Sequence, residues 1–310
     1  MPPVQTQIVP PTVAERQATG KSRLAYRIAN ICFGMTASND LQMELDPSLR
    51  GFAEERGTCD VNLRVSLVDS LRAPSQQLLF DSGGLWSLFA EPSGYRFSFH
   101  SPLLGMTPYK EAWFDPEFRS GRVLLSRRYF DPDRPVYPLE YPLDELLMIH
   151  RLSRGEGVEV HAVGISDESG RGHLFLGHSG AGKSTTARLW IDRPGVRILS
   201  DDRIILRARE GRMWMYGTPW HGDAGIASPD CALVDDIYLL EHGRGNAKLP
   251  LPPGRAAAEL FTRSFVTHHS GEGIRFTLEF LDRVAREVPC SIFKFVPDES
   301  AVEAICRAGA

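Results

Sequence analysis

The residues best suited to chemistry are GHSGAGKST, Gly177 to Thr185, which carry the full spacing G-x-x-x-x-G-K-[ST]. Glycines at Gly177, Gly180 and Gly182 let the backbone bend so that the N–H groups of His178, Ser179, Ala181 and their neighbours converge on phosphate oxygens. Lys183 sets a positive charge against the β- and γ-phosphates, and the Ser184 hydroxyl suits a Mg²⁺ ligand. Upstream, His161 stands in VEVHAVGI; downstream, VRILSDDRIIL carries the carboxylate pair Asp201 and Asp202 followed by Arg203. One carboxylate of such a pair can hold Mg²⁺ while the other takes a proton from an attacking hydroxyl or water. The pair also reads as an Asp-Asp turn between two strands. A further loop, YGTPWHGDAG, offers His221 and Asp223 as residues lining a site. Asp235-Asp236 reads as a strand-edge turn.

These residues need elements to position them. HLFL before the phosphate loop is a short apolar strand, and STTARLWID after it starts a helix, whose positive N-terminus would face the phosphate. VEVHAVGI alternates as a strand, SDESGRG is a turn, and HLFL returns, so the two strands are antiparallel neighbours. Pairing Ser166 with His173 brings His161 opposite His178, to within a couple of residues. His161 then reaches either the transferred group or a neighbouring acid, or is merely satisfied within the sheet.

The wider chain divides in two. From Leu24 to Phe130, YRIANICFGM, VNLRVSLV, LLFD, LWSLFA, YRFSFH and RVLLSRRYF read as strands, with Pro92-Ser93-Gly94 turning a hairpin. A proline-rich connection, DPDRPVYPLEYP, leads to a helix in PLDELLMIHRLSRGEG. Alternating strand and helix signals follow, with helices at Arg255–Ser264 and Phe276–Glu287, the strand CSIFKFVP and a closing helix DESAVEAICRA. The expected organisation is a tail over 1–21, a β-rich domain over 22–141 for docking or oligomer contacts, and an α/β domain over 142–310. The fold class is α/β (α+β) in two domains.

With 35 Lys and Arg against 39 Asp and Glu, the net charge of −4 excludes general attraction to nucleic acid or anionic membrane. Five scattered cysteines read as reduced thiols of a cytoplasmic protein, and no apolar run approaches a membrane span.

Taken together, VHAVGI, GHSGAGKST and SDDR, between Glu159 and Arg203, resemble the HPr kinase/phosphorylase family and its phosphoenolpyruvate carboxykinase-like superfamily. In that family a histidine-glycine strand enters the loop and an Ala-Asp-Asp-Arg segment follows the next helix. Here Ala162 follows His161, and YGTPWHGDAG stands where the bifunctional enzymes carry a glycine-rich signature. The resemblance implies a kinase using ATP and Mg²⁺, with Lys183, Ser184 and the rest of Gly177–Thr185 on nucleotide and metal, and Asp202 as a second metal ligand. His161 with Asp201 and Asp202 would supply the base, and the acceptor would be a hydroxyl on a protein, peptide or small metabolite. A nucleotide-binding regulatory module and a carboxykinase-like enzyme on a small carboxylate are the alternatives.

Overall fold

The computed structural model describes residues 22–37, 41–55, 57–71 and 77–306. The expected tail over 1–21 lies outside the described residues. The chain is mixed α/β, with two large sheets. The first holds eight strands: β1 (Arg23–Ile28), β2 (Ile31–Ala37), β3 (Val61–Val68), β4 (Leu78–Asp81), β5 (Trp86–Glu91), β6 (Gly94–Ser101), β7 (Gly105–Phe114) and β8 (Ser120–Ser126). Their order is β1-β2-β3-β8-β7-β6-β5-β4. Alternation in β3 buries Val61, Leu63, Val65 and Leu67 and leaves Asn62 and Arg64 exposed, as a sheet with one covered face requires. YRIANICFGM is split across two strands: Ala29 and Asn30 take φ of 50° and 62° and turn β1 back onto β2.

Helix α1 (Leu143–Leu152) covers the inner face. Its Leu143, Leu147, Met148 and Leu152 join the same core as Leu88, Phe97 and Val123. That core also takes in Ile205 and Tyr216 from the second half, so the two halves share packing. By its packing α1 belongs with the first sheet.

The second sheet contains β9 (Val158–Ser166), β10 (Gly172–Leu176), β11 (Arg197–Ser200), β12 (Arg203–Arg209), β13 (Arg212–Tyr216), β14 (Cys231–Leu233), β15 (Asp236–His242), β16 (Ala247–Pro250), β17 (Ser264–Phe265) and β18 (Cys290–Phe295). The main order is β14-β13-β12-β9-β10-β15-β18-β16, with β11 and β17 also pairing β9. Helices α3 (Pro253–Phe261) and α4 (Gly271–Glu287) pack on the face that carries Val158, Val160 and Ala162. Helices α2 (Lys183–Trp190) and α5 (Glu299–Cys306) pack on the face of Val163 and Ile165. Strand alternation therefore puts Glu159 and His161 on the α2 face.

The thiol reading needs one correction. Cys32 and Cys59 form a disulfide, because the parallel pairing of β2 and β3 brings their Cα atoms to 4.6 Å although they stand 27 positions apart in sequence. Cys231, Cys290 and Cys306 are free. No helix among the described residues is long and apolar enough to cross a membrane.

Candidate functional site

Strand β10 ends at Leu176, the glycine-rich loop follows, and α2 opens at Lys183. The turn into the helix needs Gly182, whose φ is 98° and whose added Cβ would lie 2.6 Å from the Phe295 ring. Lys183 Nζ donates to the carbonyls of Gly177 at 2.9 Å and His178 at 3.3 Å. Burial lowers the Lys183 pKa, against the attraction of Asp202 and with the help of Arg263 and Arg203. Ser179, Gly180, Gly182, Lys183, Ser184 and Thr185 line one cavity of ≈ 510 Å³ with His161, Asp201, Asp202, Gly222 and Asp223. His178 is exposed, its Nδ1 2.7 Å from the Ser179 carbonyl.

Across the cavity from α2, His161 Nε2 lies 2.7 Å from Asp202 Oδ1. The backbone fixes both. The His161 N–H donates to the Arg263 carbonyl at 2.7 Å, and the Ala162 N–H to the Asp202 carbonyl at 3.1 Å. SDD is indeed a turn between β11 and β12, and Ser200 Oγ caps it by accepting the N–H groups of Asp202 and Arg203. A turn and a place in the cavity coexist, because the turn is what aims Asp202. Burial works against the Asp202 charge, but His161, Arg203 and Lys183 outweigh it and hold the carboxyl below its ordinary value. Arg203 pairs with Asp202 through Nη1 and with Glu145 at 2.8 Å, and it lies over the Phe265 ring at 4.3 Å.

Asp201 has a different environment. It is buried, and its carboxylate accepts the N–H groups of Gly222 at 3.0 Å, Ala224 at 2.9 Å and Ile226 at 3.3 Å. It thereby pins the 222–226 loop against the cavity. The approach is so close that a Cβ on Gly222 would sit 2.9 Å from Asp201 Oδ2. Asp223 lines the glycine-loop cavity, whereas His221 lines a separate cavity of ≈ 280 Å³ that shares Asp202 with it and also takes in Arg203. Tyr141, Glu145 and Trp220 also line this second cavity.

Sequence reasoning missed Glu145 and Glu159. Glu159 is fully buried two residues before His161, with Arg203 Nε 3.7 Å from its carboxylate. Burial, then the neighbouring Glu145, pushes its pKa well above the ordinary value, against the pull of Arg203. Asp144, also buried, is raised to about 7, chiefly by burial. The available signal was two acids, Asp144 and Glu145, at the start of an otherwise apolar helix. Nothing in the chain order ties that helix to Arg203, 58 residues on from Glu145.

Among the described residues no group of three or more His, Cys, Asp or Glu side chains is disposed to hold a metal. Two oxygen donors, Ser184 and Asp202, do face one cavity. That set fits Mg²⁺, which binds through one or two protein oxygens plus substrate phosphates and water rather than a complete protein cage.

No family model matches the chain, and no curated protein matches it either. Among solved structures, the Hpr(Ser) kinase/phosphatase from Coxiella burnetii aligns with 49% of this chain and 95% of its own, at 15% identity and a TM-score of 0.31.

Proposed function

We propose that the chain is an ATP- and Mg²⁺-dependent phosphotransferase acting on a hydroxyl acceptor. The observation that carries this reading is the Asp202 carboxylate, hydrogen-bonded by His161 and sharing one cavity with Lys183 and Ser184. Holding a nucleotide does not require a base; transferring its terminal phosphoryl group to a hydroxyl does.

In this reading the acceptor oxygen attacks the γ-phosphorus, its O–H proton passes to Asp202, and the bond to the ADP leaving group breaks. Mg²⁺, held by Ser184 and, through water, by Asp202, would neutralise charge on the phosphates. Lys183 leaves its loop carbonyls for the phosphate oxygens, and the N–H groups at the start of α2 face the same charge. His161 orients Asp202, Asp201 keeps the 222–226 loop in place, and Arg203 ties the turn to Glu145 on α1. The ≈ 280 Å³ cavity that also borders Asp202 is assigned as the acceptor's approach, because none of its lining residues belongs to the glycine-rich loop.

The test is mass spectrometry of hydroxyl-bearing proteins, peptides and metabolites incubated with the chain, ATP and Mg²⁺. The reading expects a gain of one phosphoryl group on an acceptor, coupled to ADP formation. Tight ATP binding with turnover no faster than slow hydrolysis across all acceptors would make the chain a nucleotide-binding module instead.

A further inference from the structure

The first sheet carries an unusual row on its open face. The pairings Arg23↔Thr36, Thr36↔Arg64, Arg64↔Arg122 and Arg122↔Trp113 run straight across five adjacent strands, and Trp113↔Arg96 extends the row to a sixth. Residues paired in register point to the same face, so four arginines and a tryptophan share one line. Arg23, Arg64 and Arg122 are exposed. Arg64 and Arg122 stand directly side by side on β3 and β8, a like-charge placement that sheets ordinarily avoid.

Acids engage the buried end of the row, where Arg96 pairs with Glu91 and Glu111 and Glu111 also attracts Arg122, but among the described residues none pairs with its exposed arginines. Among the described residues, no carboxylate forms an ion pair with Arg64 or Arg122. Two acids line the same cleft, and both are engaged. Asp115 accepts N–H groups from Glu117, Arg119 and Ser120 as well as the Ser120 hydroxyl. Glu91 lies 3.9 Å from the buried Arg96, which also pairs with the buried Glu111. Trp113 is stacked between the guanidinium groups of Arg96 at 4.7 Å and Arg122 at 4.5 Å. That stacking holds Arg122 in place before any ligand arrives. Arg23, Thr36, Arg64, Arg122 and Trp113 line a cleft of ≈ 870 Å³ that shares no residue with the cavity at the glycine-rich loop.

We infer that this cleft binds an extended acidic peptide segment of a partner protein. Arg64 and Arg122 together grip one carboxylate, with the planar, multi-donor geometry that suits guanidinium to carboxylate. Arg23 lies two strands from Arg64, about 10 Å away at the usual strand spacing. A segment in the extended polyproline-II conformation, with three residues per turn at about 3.1 Å each, brings side chains i and i+3 to the same side about 9 Å apart, so the occupant carries acids at positions i and i+3. The chain's own net charge of −4 and the flanking Glu91 and Asp115 argue against nucleic acid, which rewards long unbroken basic surfaces.

The experiment is fluorescence anisotropy of the full chain with a labelled octapeptide, Gly-Gly-Glu-Gly-Gly-Glu-Gly-Gly, and its Gln-for-Glu counterpart. The Glu peptide should bind at least tenfold more tightly, and binding should weaken as salt rises. Arg64→Glu and Arg122→Glu should each weaken it at least tenfold, with unfolding curves verifying that the variants remain folded. Arg128→Glu, an exposed charge outside the row, should change it less than twofold. Equal binding of the Gln peptide, or equal loss in Arg128→Glu, overturns the inference. So does a short single-stranded RNA that displaces the Glu peptide at lower concentration than unlabelled peptide does. ATP binding is independent of every arm, so the phosphotransferase reading stands or falls separately.

Discussion

Two histidine–aspartate pairs sit on the β9–β10 hairpin, and they differ in everything except the pair itself. At the open end, His161 Nε2 meets Asp202 at 2.7 Å, with side-chain exposures of 32% and 24%. Near the turn, His173 Nε2 meets Asp167 at 3.0 Å, with exposures of 2% and 7%. The first pair opens on a ≈ 510 Å³ cavity with Lys183 and Ser184; the second lines a space of ≈ 30 Å³. The His173 ring is enclosed by Trp190, Phe175 and Tyr238, and its Nδ1 lies 3.7 Å from Asp236. A histidine–carboxylate pair is therefore no evidence of chemistry on its own. Access to an open cavity, shared with the lysine and serine of the glycine-rich loop, separates a candidate base from a buried structural link.

The comparison breaks most sharply at Asp202. Asp202→Asn should lower phosphoryl transfer by about 10²–10⁴-fold while nucleotide affinity measured without Mg²⁺ changes little. Full transfer in this variant, measured by phosphate incorporation, would sink the base assignment. At the buried pair the expected loss is of stability. His173→Ala leaves Asp167 Oδ2 without its partner, while Oδ1 keeps Ser169 and Arg171, and should cost about 2 kcal/mol in urea unfolding, with nucleotide affinity preserved. A variant as stable as the wild type would show that the second pair is not a structural link.

The smallest effect lies behind the open pair, at Asp144. Burial raises its pKa from 3.8 to about 7. The folded state therefore holds a proton that the unfolded state releases, and stability falls as pH rises from about 4 to about 7. Asp144→Asn removes that titration. It should be more stable than the wild type by at least about 1 kcal/mol at pH 8, with the gap narrowing toward pH 5. Parallel unfolding curves at both pH values decide it; a gap that widens toward pH 5 would reverse the sign.

Much of the site was legible because its parts are local. The glycine spacing dictates a loop between strand and helix, and VEVHAVGI with HLFL dictates a hairpin. The register came out one residue from expectation, with Ser166 opposite Gly172 rather than His173. That shift sets Leu176 against Ala162 and leaves His161 just past the last pair, still beside the loop. SDD was legible both as a turn and as a carboxylate pair, and both readings hold together. The division of labour inside the pair was not legible. Asp201 and Asp202 are adjacent and chemically identical, and only the fold gives one to three backbone N–H groups and the other to His161. YRIANICFGM hid its hairpin because Ala29 at positive φ is not a turn signal in sequence.

Sequence by itself determined the glycine-rich loop between strand and helix, the alternation that puts His161 on the α2 face, and the apolar stripe of α1. These follow from glycine freedom and from strand and helix periodicity, which act over a few residues. Only the tertiary structure decided that Glu145 meets Arg203, that Cys32 meets Cys59, and that arginines from β1, β3 and β8 stand in one row. Those meetings depend on which strands pair and in what register. Pairing is settled by burial summed over whole faces of a sheet, so no short stretch of sequence records it.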